Sequence, residues 1–447
     1  MCMFFFKWGL NPENKMLSKL NEFSPVIVAG CRTPFQRSGT DFKDLLTYDL
    51  ARMALKGVID KANLPAREIE HVVFGCVLNE PATSNVAREA LIGANLPLEI
   101  PAHTVTMACI SGSQAISQAA GLIGSGQADT AIAGGTESLS NIPFLFKRPM
   151  RHKLMEMRSL KKPVDWIKWA CGLRLGHFLP EVPKVAEFSN SLSMGQSCDR
   201  ISARWGVSRE EQDRYALRSH HLASEAARNG LFSDEILPVL VPPRFKSIEE
   251  DNGIRGDTTL ERLARLPAAF YFPFGTVTAG NSSFLSDGAA AVLLMSYRKA
   301  KSLGYKPVAR IAGLCFSGCD PDEELLLGPA YAVPKLLQKT GAVLSSIDVF
   351  EFHEAFAGQV LANLKALDSD AFAREKLGLP SKVGEVNMDR LNMRGGSLSI
   401  GHPFGATGIR LLISCCDRLR RESGSLGIIA SCAAGGLGHA MLIERLN

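Results

Sequence analysis

The sequence predicts an α/β fold built as two similar halves around buried sheets. Three observations carry that prediction: apolar strand-like runs alternate with helical stretches, the same order of runs returns near the C-terminus, and a stretch richer in charge and proline separates the two. Apolar runs without polar alternation belong to sheets covered on both faces.

Pro25 to Gly30 reads as the first strand, Asp49 to Ala62 as a helix and Ile69 to Gly75 as the second strand. Thr104 to Cys109 follows as a strand and Ser111 to Gly124 as a helix of small residues. Thr130 to Gly134 is a further strand, opening into Gly135-Thr-Glu-Ser138. Between about 140 and 270 the capping box Ser208-Arg-Glu-Glu211 opens a helix from Gln212 to Asn229, so this stretch reads as an inserted, mostly helical domain rather than a linker. The chain returns at Gly275 to Asn281, and Asp287 to Met295 adds a last strand to the first half.

In the second half Ile347 to Phe352 matches the second strand, Gly401-His-Pro-Phe-Gly-Ala-Thr-Gly408 precedes a helix from Ile409 to Arg420, and Gly427 to Ser431 ends at Cys432. Cys109 and His402 thus occupy corresponding strand-to-helix junctions, and the Gly134 to Glu137 turn corresponds to Cys432 to Gly435. The expected division is 24–140, completed by 271–305, for the N-terminal half, 141–270 for the insertion and 306–447 for the C-terminal half.

With 447 residues, 46% hydrophobic and 21% charged, the chain can bury a large core in two or three domains. A net charge of +5 is too small for this length to imply nucleic acid, and no run approaches the roughly 20 apolar residues of a membrane span. Eleven scattered cysteines, with Cys76, Cys415 and Cys416 in apolar runs, point to a reducing compartment. The first 23 residues have a short apolar patch, no arginine, and Glu13 and Glu22, so neither a secretory nor a mitochondrial leader is expected. Met16 is an alternative start. Bacterial cytoplasm fits best, with the mitochondrion as the alternative.

Cys109, at a strand end and a helix start, stands where backbone N–H groups and the helix dipole favour a thiolate. Taken alone it also fits a buried small hydrophobe. His402 lies in a tight turn between Gly401 and Gly405, ordinarily a structural position, but the duplication sets it opposite Cys109 at the carboxyl ends of the strands. Cys432 runs into Ala433-Ala-Gly-Gly-Leu-Gly438, a loop whose main chain can approach a ligand, a phosphate included. His353 and Glu354 follow directly on an apolar strand, a position that is costly unless the polar groups are satisfied or used. The histidines lack metal-ligand spacing and no strand is followed by GxGxxG, so neither a metal nor a nucleotide cofactor is indicated.

Together these residues resemble the thiolase family, from about Pro25 to Leu446. Ala108-Cys-Ile-Ser-Gly-Ser113, His353-Glu-Ala-Phe-Ala357, Gly401 to Gly408 and Cys432-Ala-Ala-Gly-Gly435 carry the resemblance in the family's order. It implies a duplicated, layered α/β/α/β/α fold, assembly as dimers or tetramers, and no tightly bound cofactor, with CoA as a substrate. By that resemblance Cys109 attacks the 3-keto carbon of a 3-ketoacyl-CoA, and Cys432 protonates the acetyl-CoA enolate and then takes the proton of the incoming CoA. His402 and a water held by His353 face the enolate oxygen, and the main-chain N–H groups of Cys109 and Ala434 face the acyl oxygen. Met194, Ser283 and Phe356 match positions along the pantetheine and acyl path.

Most of the family carries asparagine at 353 and many members carry glycine at 434, so the water-holding role departs from the usual pattern while the N–H of Ala434 does not. The histidine variant resembles the β subunit of the fatty-acid β-oxidation trifunctional complex and its bacterial relatives. That subfamily implies degradation and an α subunit carrying hydratase and dehydrogenase activities. Three alternatives stay open: a biosynthetic acetoacetyl-CoA-type thiolase; a ketoacyl synthase, which would replace Cys432 with histidine; and a scaffold that binds lipid or CoA without turnover.

Between Phe144 and Phe178 nine Lys or Arg stand against Glu156 and Asp165, a local net of +7. Trp166, Trp169, Ala170 and Leu173 recur at helical spacing. A basic amphipathic helix on an anionic membrane is one reading, and a face packed on the α subunit or over the acyl tunnel is the other.

Overall fold

The computed structural model describes residues 19–181 and 186–446. The segment that holds Met16 and the leader reading lies outside the described residues. In chain order the principal elements are β1 (Pro25–Arg32), α1 (Thr47–Ala62), β2 (His71–Gly75), β3 (Ala102–Val105), α2 (Ser111–Gly124) and β4 (Thr130–Glu137). The insertion follows with α3 (Arg148–Glu156), α4 (Pro163–Cys171), α5 (Met194–Arg204) and α6 (Arg209–Arg228). Then come β5 (Ser286–Ser296), β6 (Ala309–Gly318), α7 (Gly328–Thr340), β7 (Val349–Phe352), α8 (Ala357–Leu367), α9 (Thr407–Arg421), β8 (Leu426–Ala433) and β9 (Leu437–Arg445).

The strands lie in the order β7-β8-β9-β6-β1-β5-β4-β2-β3. In the N-terminal half β3 pairs parallel to β2 and β2 to β4, while β4 with β5 and β5 with β1 are antiparallel. The C-terminal half repeats this: β7 is parallel to β8, and β8 with β9 and β9 with β6 are antiparallel. Its counterpart of β3 shrinks to a single bridge between Phe350 and Leu391. The halves meet where β1 pairs with β6 through Val26 with Arg310 and Ile27 with Ala309.

The returning strand joins the sheet of the first half: β5 sits between β1 and β4 and is buried along its whole length. Its Gly-Ala-Ala-Ala run explains why: small residues let α1 pack closely on one face, where Ala289, Ala291 and Leu293 join Leu50, Ala54 and Val58.

Helices α2 and α9 form the middle layer, where Ala115, Ile116 and Ile123 pack with Ile409, Leu412 and Leu419 between the two sheet halves. With α1 outside one half and α7 and α8 outside the other, the layers run α/β/α/β/α, as expected. Removing a side chain such as Leu412 from this layer costs about 2–5 kcal/mol.

Ser208 opens α6 as expected, accepting from Glu211 N–H at 3.1 Å while Glu211 accepts from Ser208 N–H at 2.7 Å. The basic segment is not one helix. It breaks into α3 and α4, each with proline in its first turn, and the two fold against each other as Trp169 Nε1 donates to the Lys153 carbonyl at 2.7 Å.

Candidate active site

Cys109 lies four residues beyond the end of β3, on a turn rather than on the strand itself. Ala108 before it has φ +46°, a left-handed conformation that costs an alanine roughly 1–2 kcal/mol. Ser111 holds that turn: its Oγ accepts from Met107 N–H at 2.8 Å and donates to the Ala108 carbonyl at 2.7 Å. The sulfur is thereby presented at the start of α2, half-buried.

The helix start does not dominate the thiol. Burial pushes Cys109 up to about 12, although the N–H groups of Ala434 and of Cys109 itself pull the other way. Desolvation of the anion thus works against the thiolate that the helix start favours.

His402 is buried, and its Nδ1 lies 2.7 Å from Thr407 Oγ1. That hydroxyl donates its own proton to the Pro403 carbonyl at 2.9 Å, so it accepts from the imidazole. The hydrogen therefore sits on Nδ1, leaving Nε2 bare, and Nε2 has no partner among the described residues. Burial, then His353 and Arg410, hold the ring well below the usual imidazole range, so it is neutral.

His353 directly follows β7, with its ring centroid 4.1 Å from that of His402. Its Nδ1 lies 3.0 Å from Ser397 Oγ, its Nε2 is also unpartnered among the described residues, and burial takes it down to about 3. Glu354, its neighbour, is satisfied instead: it accepts from Tyr215, Ser219, Asn392 and the Leu398 N–H. The polar pair after the strand thus splits into a buried imidazole with an unpartnered ring nitrogen among the described residues and a carboxylate fully engaged in hydrogen bonds.

Cys432 ends β8 almost wholly buried, and burial followed by the nearby Cys109 and Cys198 sulfurs holds it as a thiol. Met194, at the start of α5, and Phe356 pack in the same apolar cluster as Cys432. Ser283 joins them from the returning chain by donating its N–H to the Ala355 carbonyl at 2.9 Å.

The two junctions touch through glycine backbones. A Cβ on Gly112 would stand 2.4 Å from the Gly405 carbonyl oxygen, and one on Gly135 would stand 1.8 Å from it. Glu137 ties the seam, accepting from the N–H groups of Val77 at 3.1 Å, Leu78 at 2.8 Å and Gly405 at 3.0 Å. Glu137, Thr407 and Ser397 were missed as site residues. Glu137 carried a signal, an acid closing a fully apolar strand, whereas two hydroxyls beside helix starts look like caps.

The geometry defines a centre at the seam of a duplicated fold, where the Cys109 and His402 loops touch through Gly112 and Gly405, His353 stacks on His402, and Cys432 lies near Cys109. The chain belongs to the thiolase family: residues 25–298 match the thiolase N-terminal domain and residues 305–445 the thiolase C-terminal domain. It is 51% identical to the trifunctional enzyme subunit beta, mitochondrial, of Bos taurus, over 97% of this chain and 90% of that one. To the 3-ketoacyl-CoA thiolase of Yersinia pestis it is 42% identical, over 94% and 96% respectively. A crystal structure of human mitochondrial 3-ketoacyl-CoA thiolase in complex with CoA superposes with a TM-score of 0.82 at 30% identity, covering 96% of this chain and all of that one.

Proposed function

We propose that this thiolase cleaves a 3-ketoacyl-CoA with CoA, giving acetyl-CoA and an acyl-CoA two carbons shorter, in fatty-acid β-oxidation. The observation that carries the reading is the seam where the Cys109 and His402 loops press backbone on backbone at Gly112 and Gly405, with His353 stacked 4.1 Å from His402, whose bare Nε2 can accept a proton.

His402 Nε2 takes the Cys109 proton as the sulfur attacks the 3-keto carbon, so charge separates only when substrate is present. The resulting oxyanion collapses, the C2–C3 bond breaks, and the acyl group stays on Cys109 as a thioester. The Cys432 thiol protonates the departing acetyl-CoA enolate at carbon. Its thiolate then takes the proton of incoming CoA, whose sulfur attacks the thioester, and the imidazolium returns its proton to Cys109 as the acyl-CoA leaves. The protonated His402 and a water on His353 Nε2 stabilise the enolate oxygen, and the N–H groups of Cys109 and Ala434 stabilise the acyl oxygen. Met194, Ser283 and Phe356 line the path of the pantetheine and acyl chain. No tightly bound cofactor is needed, because CoA is itself the second substrate.

The test is loss of 3-ketoacyl-CoA absorbance on adding CoA, comparing acetoacetyl-CoA with a C16 substrate, in wild type and Cys109→Ala. Cleavage favouring C16 and absent from the variant supports the reading. Cleavage of acetoacetyl-CoA alone favours the biosynthetic alternative, and none at all favours a scaffold.

We place the protein in a mitochondrial setting rather than in bacterial cytoplasm, on its higher identity to relatives named mitochondrial. A homodimer or tetramer forms through the edge strand β3, which has no further strand beyond it among the described residues. Residues 141–270 act as one covering domain, and their hairpin α3–α4 is the partner surface. Val164, Ile167, Leu175 and Phe178 are exposed there among the lysines and arginines, which supports contact with an anionic membrane. Because Trp169 is spent on holding the hairpin together, Ile167→Asp with Leu175→Asp is the informative change. It lowers binding to phosphatidylserine vesicles at least about tenfold, given the apolar area removed. Unchanged binding instead assigns the face to the α subunit.

A further inference from the structure

The turn after Cys432 is made by Gly435 and Gly436, both left-handed, at φ +83° and +67°, and glycine has the widest backbone freedom. Yet Ala434, immediately before them, must hold its N–H on the Cys109 sulfur, and an oxyanion donor works only when placed to within about half an ångström. The β8–β9 pairing closes the turn at Ala433 and Leu437, but its middle needs a further contact.

The insertion supplies that contact. Glu187 Oε1 accepts the Gly435 N–H at 2.6 Å. The carboxylate is presented by a small hairpin in which Glu187 N–H donates to the Leu192 carbonyl at 2.8 Å and Ala186 bridges Ser193. The hairpin is anchored in turn: Asn190 Nδ2 donates to Asp322 Oδ1 at 2.8 Å. From the same loop as Asp322, the Cys319 N–H donates to the Gly436 carbonyl at 2.7 Å. Insertion tip, the loop around Asp322, and catalytic loop therefore close a ring around Gly435 and Gly436. We propose that Glu187 is a positioning residue which, by holding the Gly435 N–H, clamps the Ala434 donor over the acyl group on Cys109, so that the covering domain sets the turnover rate and not only access. The inference rests on the thiolase reading above.

A charge-assisted bond to a main-chain N–H is short and directional, and a glutamine can accept the same hydrogen. In full-length protein, Glu187→Ala is expected to lower kcat for thiolysis of the C16 substrate by ~10–100-fold, less than outright loss of a donor, with KM within about threefold. Glu187→Gln returns kcat to within about threefold of wild type, since the acceptor is kept. Hydrogen exchange of a peptide spanning 433–438 rises in Glu187→Ala, while a peptide spanning Cys109 stays as protected as in wild type. An unchanged kcat in Glu187→Ala, a glutamine variant no better than alanine, or unchanged exchange at 433–438 overturns the proposal. Wild type inactive on both substrates would bring down the thiolase reading itself, and the exchange comparison would still decide the clamp.

Discussion

At the scale of single residues, the protonation states of Cys109 and His402 are set by burial and by one hydroxyl. Because Thr407 Oγ1 spends its proton on the Pro403 carbonyl, it can only accept from Nδ1. Thr407→Val leaves that Nδ1–H buried without a partner and removes the preference for a bare Nε2. It should lower kcat by ~10–100-fold with KM little changed, in line with the loss of other groups that orient a catalytic imidazole; steady-state kinetics against Thr407→Ser, which keeps the hydroxyl, checks it. The Cys109 thiol, pushed up to about 12, makes a second prediction. Its alkylation by iodoacetamide should keep rising with pH from 7 to 10 and show no plateau with a midpoint near the ordinary thiol value of about 8.5. A plateau below that value would mean a resting thiolate and would reverse the assignment of His402 as the base.

At the scale of elements, the site exists because two strand-to-helix junctions can press backbone on backbone. Gly405 is hemmed in by backbone on two sides, since a Cβ there would stand 2.4 Å from the Gly75 carbonyl oxygen and 2.6 Å from that of Thr136. Neither neighbour is a side chain that could swing aside. Gly405→Ala should displace the His402 loop, lose at least about a hundredfold in kcat, and cost about 1–3 kcal/mol of stability as other overpacking does; activity together with a urea titration checks both. Much of this was legible in the letters. Buried strands declared themselves by unbroken apolar runs, and α6 by its capping box. The repeated order placed Cys109 and His402 at matching ends. Three things were not legible. The place of β5 between β1 and β4 is a matter of pairing across the chain, on which local pattern is silent. The Trp166 to Leu173 periodicity gave no sign that Trp169 would turn inward to the Lys153 carbonyl. The burial that opposes a thiolate at Cys109 was the third, because a helix start is visible in sequence and the depth of burial around it is not.

At the scale of the whole molecule, the halves are joined by β1 on β6, by the α2–α9 layer and by one buried acid, and the acid makes their union sensitive to pH. Glu137 reaches from the end of β4 to Gly405 in the other half, and burial raises it from 4.5 to about 7 against the pull of three N–H donors. In the unfolded chain the same carboxyl titrates near 4.5. Between these values the folded protein holds a proton that the unfolded chain has released, so stability falls as pH rises through the window and is level with respect to this group above and below it. The full change is on the order of 3 kcal/mol, from about 1.4 kcal/mol per unit. Glu137→Gln cannot titrate, so it lacks this slope, although an amide with one carbonyl oxygen cannot satisfy all three donors and the variant should be less stable at every pH. Urea unfolding of both proteins at intervals from pH 4 to 8 separates the two effects. The stability of wild type relative to the variant should shrink steadily between about 4.5 and 7 and then stay constant. A difference that does not vary with pH would mean that Glu137 is ionised throughout, held by its three N–H donors, and that the seam carries a permanent negative charge beside Cys109.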